Sequence, residues 1–329
     1  MTRNWTFNVS RRLLLINEIP ADLTCFSLFF STNESDEEMR RLIIGCGYLG
    51  RRVAARWIAD GDDVFALTRS ERNAKRLRQL EISPILGDTT SPATLQSLPE
   101  CDSVLHAVGF DRSAMASKRA VYVDGLSNVL NRMAGECGRF IHVSSTSVYG
   151  QREGEWVDED SACQSETESG DICRAAENLV LDRFAGDDAS ACGTILRLSG
   201  IYGPDRLLSR IDALKNAQPL PGPEDGWLNL IHVDDAVQVV TTCAASESPA
   251  SIYLVSDDRP VLRGNYYRLL ASLVGAPEPI FDSEAVARHS RGINKRCRNR
   301  RLREELGVSL SYPDIETGLA HAVNASGML

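Results

Sequence analysis

The chain has 329 residues, 43 % of them hydrophobic and 25 % charged, with a formal net charge of −9. That is room for about two globular domains and a large core. The acidic balance excludes general nucleic-acid binding, which needs a basic face, and no apolar run approaches the ~18–20 residues of a membrane span.

At the N-terminus, Arg11-Arg12 before Leu13–Ile16 imitates a secretory leader, but the apolar run is too short and Glu18 and Asp22 interrupt its continuation. Residues 1–38 are expected to be a poorly ordered extension, with Met39 as an alternative start. The nine cysteines form no C-x-x-C pair and no His/Cys cluster at zinc spacing. No metal site is expected, and reduced thiols point to the cytoplasm.

Leu42-Ile43-Ile44 has the length of a buried parallel strand. Gly45-Cys46-Gly47-Tyr48-Leu49-Gly50 comes next as a G-x-G-x-x-G. Then Leu49, Val53, Ala54, Trp57 and Ile58 repeat at helical spacing, and Val64–Leu67 forms a second strand. Strand, glycine turn, helix and strand together predict a dinucleotide site. Gly45 permits the tight turn, Gly47 admits a pyrophosphate to the backbone, and Gly50 lets the helix pack on the strand. An NAD-selective site places Asp or Glu at the end of the second strand. This chain has Thr68-Arg69-Ser70, with Arg72 close by. A guanidinium suits a 2′-phosphate, so NADP(H) is expected ahead of NAD.

The alternation continues with a helix over 71–80, a strand over 82–86 ahead of Gly87-Asp88, and a helix opening at Ser91-Pro92. A fourth strand covers 103–107, a long helix about 113–135, and a fifth strand 139–143. After an acidic loop over 151–168 come a helix through Ala175, Ala176, Leu179 and Val180 and a sixth strand over 193–198. The predicted fold is α/β, a Rossmann-type doubly wound parallel sheet. Residues 39–200 make the cofactor domain. Residues 201–329 read as a mixed α/β substrate-capping region over the sheet's C-terminal edge, with part of the sheet interleaved. Its elements are strands over 228–231 and 252–255 and helices over 234–245, 264–274, 299–306 and 314–323.

Several motifs now stand in order: the glycine turn; Gly87-Asp88; Val143-Ser144-Ser145-Thr146-Ser147-Val148-Tyr149-Gly150; Leu196-Arg197-Leu198-Ser199-Gly200-Ile201-Tyr202-Gly203-Pro204; and Ile231-His232-Val233-Asp234-Asp235. With them the chain, over about residues 40–325, resembles the extended short-chain dehydrogenase/reductase family, also called the NAD-dependent epimerase/dehydratase family. The stretch Tyr253–Pro260 looks like its atypical branch of bacterial reductase-like proteins. The resemblance implies that Gly45, Gly47, Tyr48, Leu49, Gly50, Arg69, Asp88, Ala107, Val108 and Gly109 hold the cofactor, with Asp88 on the adenine and Ala107–Gly109 beside the nicotinamide ribose. It implies that Ser145 is the catalytic hydroxyl; the alternative is a strand-end hydroxyl serving a local backbone group. His106 reads as a core histidine and His232 as part of a capped strand-to-helix turn.

The family's working pair, Tyr-x-x-x-Lys, is missing. Arg174-Ala175-Ala176-Glu177-Asn178-Leu179 resembles the segment just after the lysine, which places Ser169 at the tyrosine position and Cys173 at the lysine position. Sliding by one residue gives Gly170 and Arg174. No tyrosine in the chain has a lysine four positions later. A positioned general acid is worth ~10²–10⁴ in rate, so the loss leaves three readings. Tyr149, Tyr202 or a water replaces the donor; the protein binds NADP(H) without turnover, as a sensor or scaffold; or the substrate supplies the acid. In the enzyme readings the partner is a small carbonyl, alcohol or sugar-like molecule, and the chain acts as a monomer or homodimer. The basic stretch from Arg288 to Arg303 reads as a solvated face, or as an anion site where Lys295 and Arg296 reach the crevice.

Overall fold

Three consecutive branched apolar residues without charge favour an extended, doubly covered strand. Leu42, Ile43 and Ile44 accordingly lie almost fully buried within β1 (Arg40–Ile44). The structure is a computed structural model and describes residues 38–111, 116–165, 167–186, 192–282 and 294–326. Residues 1–37, and Arg288 and Arg291 of the basic stretch, lie outside the described residues.

β1 sits inside a seven-stranded parallel sheet with β2 (Asp63–Thr68), β3 (Ser83–Leu86), β4 (Cys101–His106), β5 (Cys137–Ser145), β6 (Cys192–Leu198) and β7 (Ile252–Val255). The order is β7-β6-β5-β4-β1-β2-β3. Sequence alternation predicted six of these strands as one sheet; the seventh is Ile252–Val255, paired in register with Ile195–Leu198.

Strand pleating divides the core. Leu42, Ile44, Val104 and Phe140 face α3 (Gly125–Arg132) and α4 (Glu168–Arg183). Ile43, Leu105, Ile141 and Leu196 face α1 (Tyr48–Ala59) and α6 (Val233–Ala245) on the other side. Between β2 and β3 lies α2 (Glu71–Arg78), N-capped by the Ser70 hydroxyl, which accepts from the Asn73 N–H. A third apolar cluster joins α5 (Leu208–Lys215), α7 (Arg263–Val274) and α8 (Ile315–Ala325) through Ile211, Leu270 and Leu319. Among the described residues, no helix is long and apolar enough to cross a membrane, and the eight described cysteines are free.

Two predicted helices differ in kind. Pro92–Leu95 is a single 3₁₀ turn. Within the stretch expected as one long helix, Ala120–Asp124 is a wide π-type turn that leads directly into α3. Residues 112–115 of that prediction are outside the described residues.

A buried ion pair ties α4 to the sheet. The Arg197 guanidinium on β6 donates to Glu177 through Nη2 at 2.8 Å and Nε at 3.0 Å, and both side chains are almost inaccessible. The Ser144 hydroxyl donates to the same carboxylate at 2.6 Å. Burial works against the Arg197 charge, and Glu177 more than offsets it, so its pKa is raised.

Candidate cofactor and active site

In a doubly wound sheet the crevice opens where strand order reverses, here between β1 and β4. Gly45 turns the chain off β1 with φ +97°, and a side chain there would be driven into the Ala107 carbonyl. The Ala107 N–H donates to the Ile44 carbonyl at 2.8 Å, which closes β4 onto the turn. At Gly50 an added carbon would lie 2.7 Å from the Gly45 carbonyl oxygen, so α1 can approach β1 only with glycine there. Beside Gly47 there is open space within 4 Å, so the first turn of α1 is accessible to an anion.

That space belongs to a cavity of about 1000 Å³. Of the ten cofactor positions read from the sequence, all except Gly50 line it: Gly45, Gly47, Tyr48, Leu49, Arg69, Asp88, Ala107, Val108 and Gly109. One end is cationic, with Arg69, Arg72 and Arg76 at the close of β2 and along α2. Arg69 pairs with Asp111 at 3.2 Å, both half-exposed. The Asp88 carboxylate shapes its own loop, accepting from the Thr90 N–H at 2.8 Å and the Thr90 hydroxyl at 2.7 Å. The opposite end is walled by Val143, Val121 and Ile201. Tyr48 bridges to the far wall: its hydroxyl donates to the Pro204 carbonyl at 2.7 Å, and its ring lies between the Arg52 and Arg206 guanidiniums.

Ser145 ends β5, two residues past the cavity-lining Val143. Its oxygen accepts from the Ser147 N–H at 3.2 Å, capping the turn Thr146–Val148. The two phenols expected as donors lie elsewhere. Tyr149 is fully buried; its hydroxyl donates to the Asp158 carbonyl at 2.7 Å and accepts from Arg197 at 2.9 Å, and burial raises its pKa. Tyr202 is also buried, edge-on to His232 with its hydroxyl toward the Asp314 carbonyl at 3.5 Å. Its strand neighbour Ile201 takes the cavity side.

The other singled-out side chains are placed as follows. His106 is a core residue, its Nδ1 at 3.1 Å from Nδ1 of His142. His232 caps α6: its Nδ1 accepts from the Asp234 N–H at 3.2 Å, and its Nε2 meets Nδ1 of His321 at 3.2 Å. Both ring nitrogens are thereby engaged, although His232, Asp234 and His321 offer ligand atoms within 4.8 Å of one another. Lys295 is buried on a short strand paired with Glu155–Val157. Arg296 lies between the Trp156 and Trp227 rings and donates to the Gly154 carbonyl, so neither cation lines the cavity.

What sequence reasoning missed lies across from α4. Thr167 caps that helix by accepting from the Gly170 N–H at 3.1 Å. An added carbon at Gly170 would strike the Ser147 carbonyl, so the helix start presses on the turn after Ser145. The Ser147 hydroxyl donates to the Cys173 sulfur at 3.7 Å. Ser169, one turn earlier, receives a hydrogen bond from the Lys118 ammonium. The chain does contain a Lys-x-x-x-Tyr, Lys118 to Tyr122, which is the family pair in reverse order on another segment.

The sequence pattern of the NAD dependent epimerase/dehydratase family matches residues 42–255. The chain belongs to that family. Among its relatives, Protein YeeZ of Escherichia coli strain K12 is 27 % identical over 280 residues, covering 83 % of this chain and 96 % of that one. A 4-hydroxy-2-methyl-3-oxo-4-farnesyl-3,4-dihydroquinoline-1-oxide ketoreductase of Stigmatella aurantiaca is 27 % identical over 260 residues, covering 74 % and 77 %. The solved structure of a functionally unknown conserved protein from Silicibacter pomeroyi superposes with a TM-score of 0.71 at 27 % identity, covering 85 % and 96 %. Membership of this NAD-dependent family matches the glycine turn, the switch-point cavity and the parallel sheet.

Proposed function

We propose that this epimerase/dehydratase-family protein binds NADP(H) in the cavity between β1 and β4 and uses it to reduce a small carbonyl compound or oxidise the corresponding alcohol, sugar-like substrates included. The observation that carries this reading is the cavity itself. It runs from Arg69 at the close of β2 and Arg72 and Arg76 of α2, past the open side of Gly47, to the apolar wall at Val143 and Ile201. Arginines at the first end suit a 2′-phosphate, and the acid that would select an unphosphorylated ribose is replaced by Thr68-Arg69. Asp88 would face the adenine, Ala107–Gly109 the nicotinamide ribose, and Ser145 the substrate oxygen. A ketoreductase among the relatives supports the carbonyl class. The eight described cysteines, all free, support a cytoplasmic setting. NADPH at millimolar concentration should raise the melting temperature well beyond the rise with NADH; no shift with either would refute it.

A second reading is favoured by one observation: no tyrosine in the chain has a lysine four positions later, and the resemblance puts Ser169 and Cys173, or Gly170 and Arg174 one residue on, where the family carries its phenol and ammonium. In that reading the protein binds NADP(H) without turnover, as a sensor of cofactor state. Stereospecific loss of deuterium from labelled NADPH with a carbonyl library separates the two, since only the enzyme shows it.

A further inference from the structure

A serine at the first turn of α4 stops short of where a phenol at the same position would reach. The space beyond it is filled from another segment. Lys118, half-buried just ahead of the π-type turn Ala120–Asp124, donates through Nζ to the Ser169 oxygen. The same Nζ lies 5.4 Å from the Tyr122 ring centroid, a second, cation–π contact on the ammonium. Tyr122 is itself anchored, its hydroxyl accepting from the Phe110 N–H at 3.0 Å. Phe110 directly follows Gly109 of the cavity wall, and Val121 lines the cavity. Lys118 and Ser169 therefore stand beside the cavity wall at Gly109 and Val121, and the Ser147–Cys173 contact ties the same helix start to the turn after Ser145. Burial raises the Cys173 thiol's pKa, and the Ser147 hydrogen bond and then the Lys118 charge work against that rise. An ammonium carries three N–H donors, and Ser169 accepts from one. π-type turns of this kind recur at functional sites because they re-aim side chains off a regular helix.

We propose that Lys118 is the proton donor of this site, with Ser169 and the Tyr122 ring as the residues that position it. The inference rests on the oxidoreductase reading above. A bound reduced nicotinamide would supply a hydride to the substrate's carbonyl carbon, which would leave the electron pair of the C=O π bond on oxygen. That oxygen takes a proton from Lys118: an N–H bond breaks, an O–H bond forms, and the neutral amine regains its proton from water. In the oxidative direction the same amine accepts the alcohol proton. The active site thereby keeps an acid–base group although α4 holds neither member of the usual pair.

The test uses the full chain. Lysine acylation by acetic anhydride is followed by mass spectrometry with and without NADPH, Lys215 on the exposed side of α5 serving as the internal reference. NADPH should slow acylation of Lys118 at least about tenfold and leave Lys215 unchanged. In parallel, Lys118→Met, Lys118→Arg and Ser169→Ala are assayed with NADPH and a panel of aromatic aldehydes, ketones and quinones. Lys118→Met should lower kcat by ~10²–10⁴-fold with the melting temperature and NADPH affinity near wild type. Lys118→Arg, whose guanidinium does not release its proton near neutral pH, should fold equally well and stay impaired in kcat with KM near wild type. Ser169→Ala should lower kcat less, with KM near wild type. NADPH binding with Lys118 acylated at an unchanged rate, or turnover unaltered in Lys118→Met, overturns the inference and leaves the oxidoreductase reading standing. NADPH binding with no turnover of the panel by the wild type overturns it in favour of the sensor. A wild type that does not bind NADPH overturns both.

Discussion

Replacing Glu177 by Leu tests how the candidate site is held in place. Glu177 and Arg197 are 0 % and 2 % exposed, and the carboxylate accepts from guanidinium nitrogens at 2.8, 3.0 and 3.3 Å and from Ser144 at 2.6 Å. Removing the acid leaves the guanidinium buried with only the Tyr149 hydroxyl and the Glu159 carbonyl as remaining partners. Uncompensated buried charge of this kind costs ~3–5 kcal/mol. For a chain of this size, at about 2 °C per kcal/mol, the melting temperature should fall by ~6–10 °C. The double variant Glu177→Leu/Arg197→Met removes both charges and should recover most of the loss, because desolvation of the pair offsets much of its attraction. Urea unfolding of the two single variants, the double variant and the wild type gives the coupling energy. The reasoning is refuted if Glu177→Leu costs under 1 kcal/mol, or if the double variant is as unstable as the sum of the singles. Because α4 hangs from this pair, Glu177→Leu should also lower turnover more than it lowers NADPH affinity.

Two further outcomes are expected of the same structure. Gly45→Ala places a side chain against the Ala107 carbonyl at φ +97°, which should abolish NADPH binding and cost ~1–3 kcal/mol; binding within threefold of wild type would contradict the close approach. Burial holds the His142 pKa down to about 4, against ~6.5 in an unfolded chain. The unfolded state therefore takes up a proton first as pH falls, so stability is full above about 6.5 and drains away between 6.5 and 4, by up to ~1.4 kcal/mol per pH unit for this one ring. His142→Asn should flatten that slope in urea unfolding measured at pH 7, 6 and 5; parallel curves would refute it.

How much was legible in the sequence depended on how local each feature is. The turn from Gly45 to Gly50 is set by neighbouring residues and could be read directly, along with the strand, helix and charges beside it. The pairing of Ile252–Val255 with Ile195–Leu198 was not, because register between distant strands leaves no local signal. Tyr149 and Tyr202 fit the motif spacing, yet pleating at Ile201–Tyr202 and the Arg197 network at Tyr149 turn both phenols inward. Lys118 gives no local signal either, because it meets Ser169 from 51 residues away. The family order is a tyrosine followed by a lysine on one helix, whereas this chain brings a lysine followed by a tyrosine from another segment. The expected long helix also hid the π-type turn that carries them, since propensity does not distinguish one wide turn from a regular one.

Isothermal titration of the wild-type chain with NADPH and with NADH, at one pH and salt concentration, tests the central claim most directly. Charged hydrogen bonds from Arg69 and the α2 arginines to a 2′-phosphate are worth ~1.5–3 kcal/mol, so NADPH should bind ~10–100-fold more tightly than NADH. Equal affinities, tighter binding of NADH, or heat from neither would contradict it.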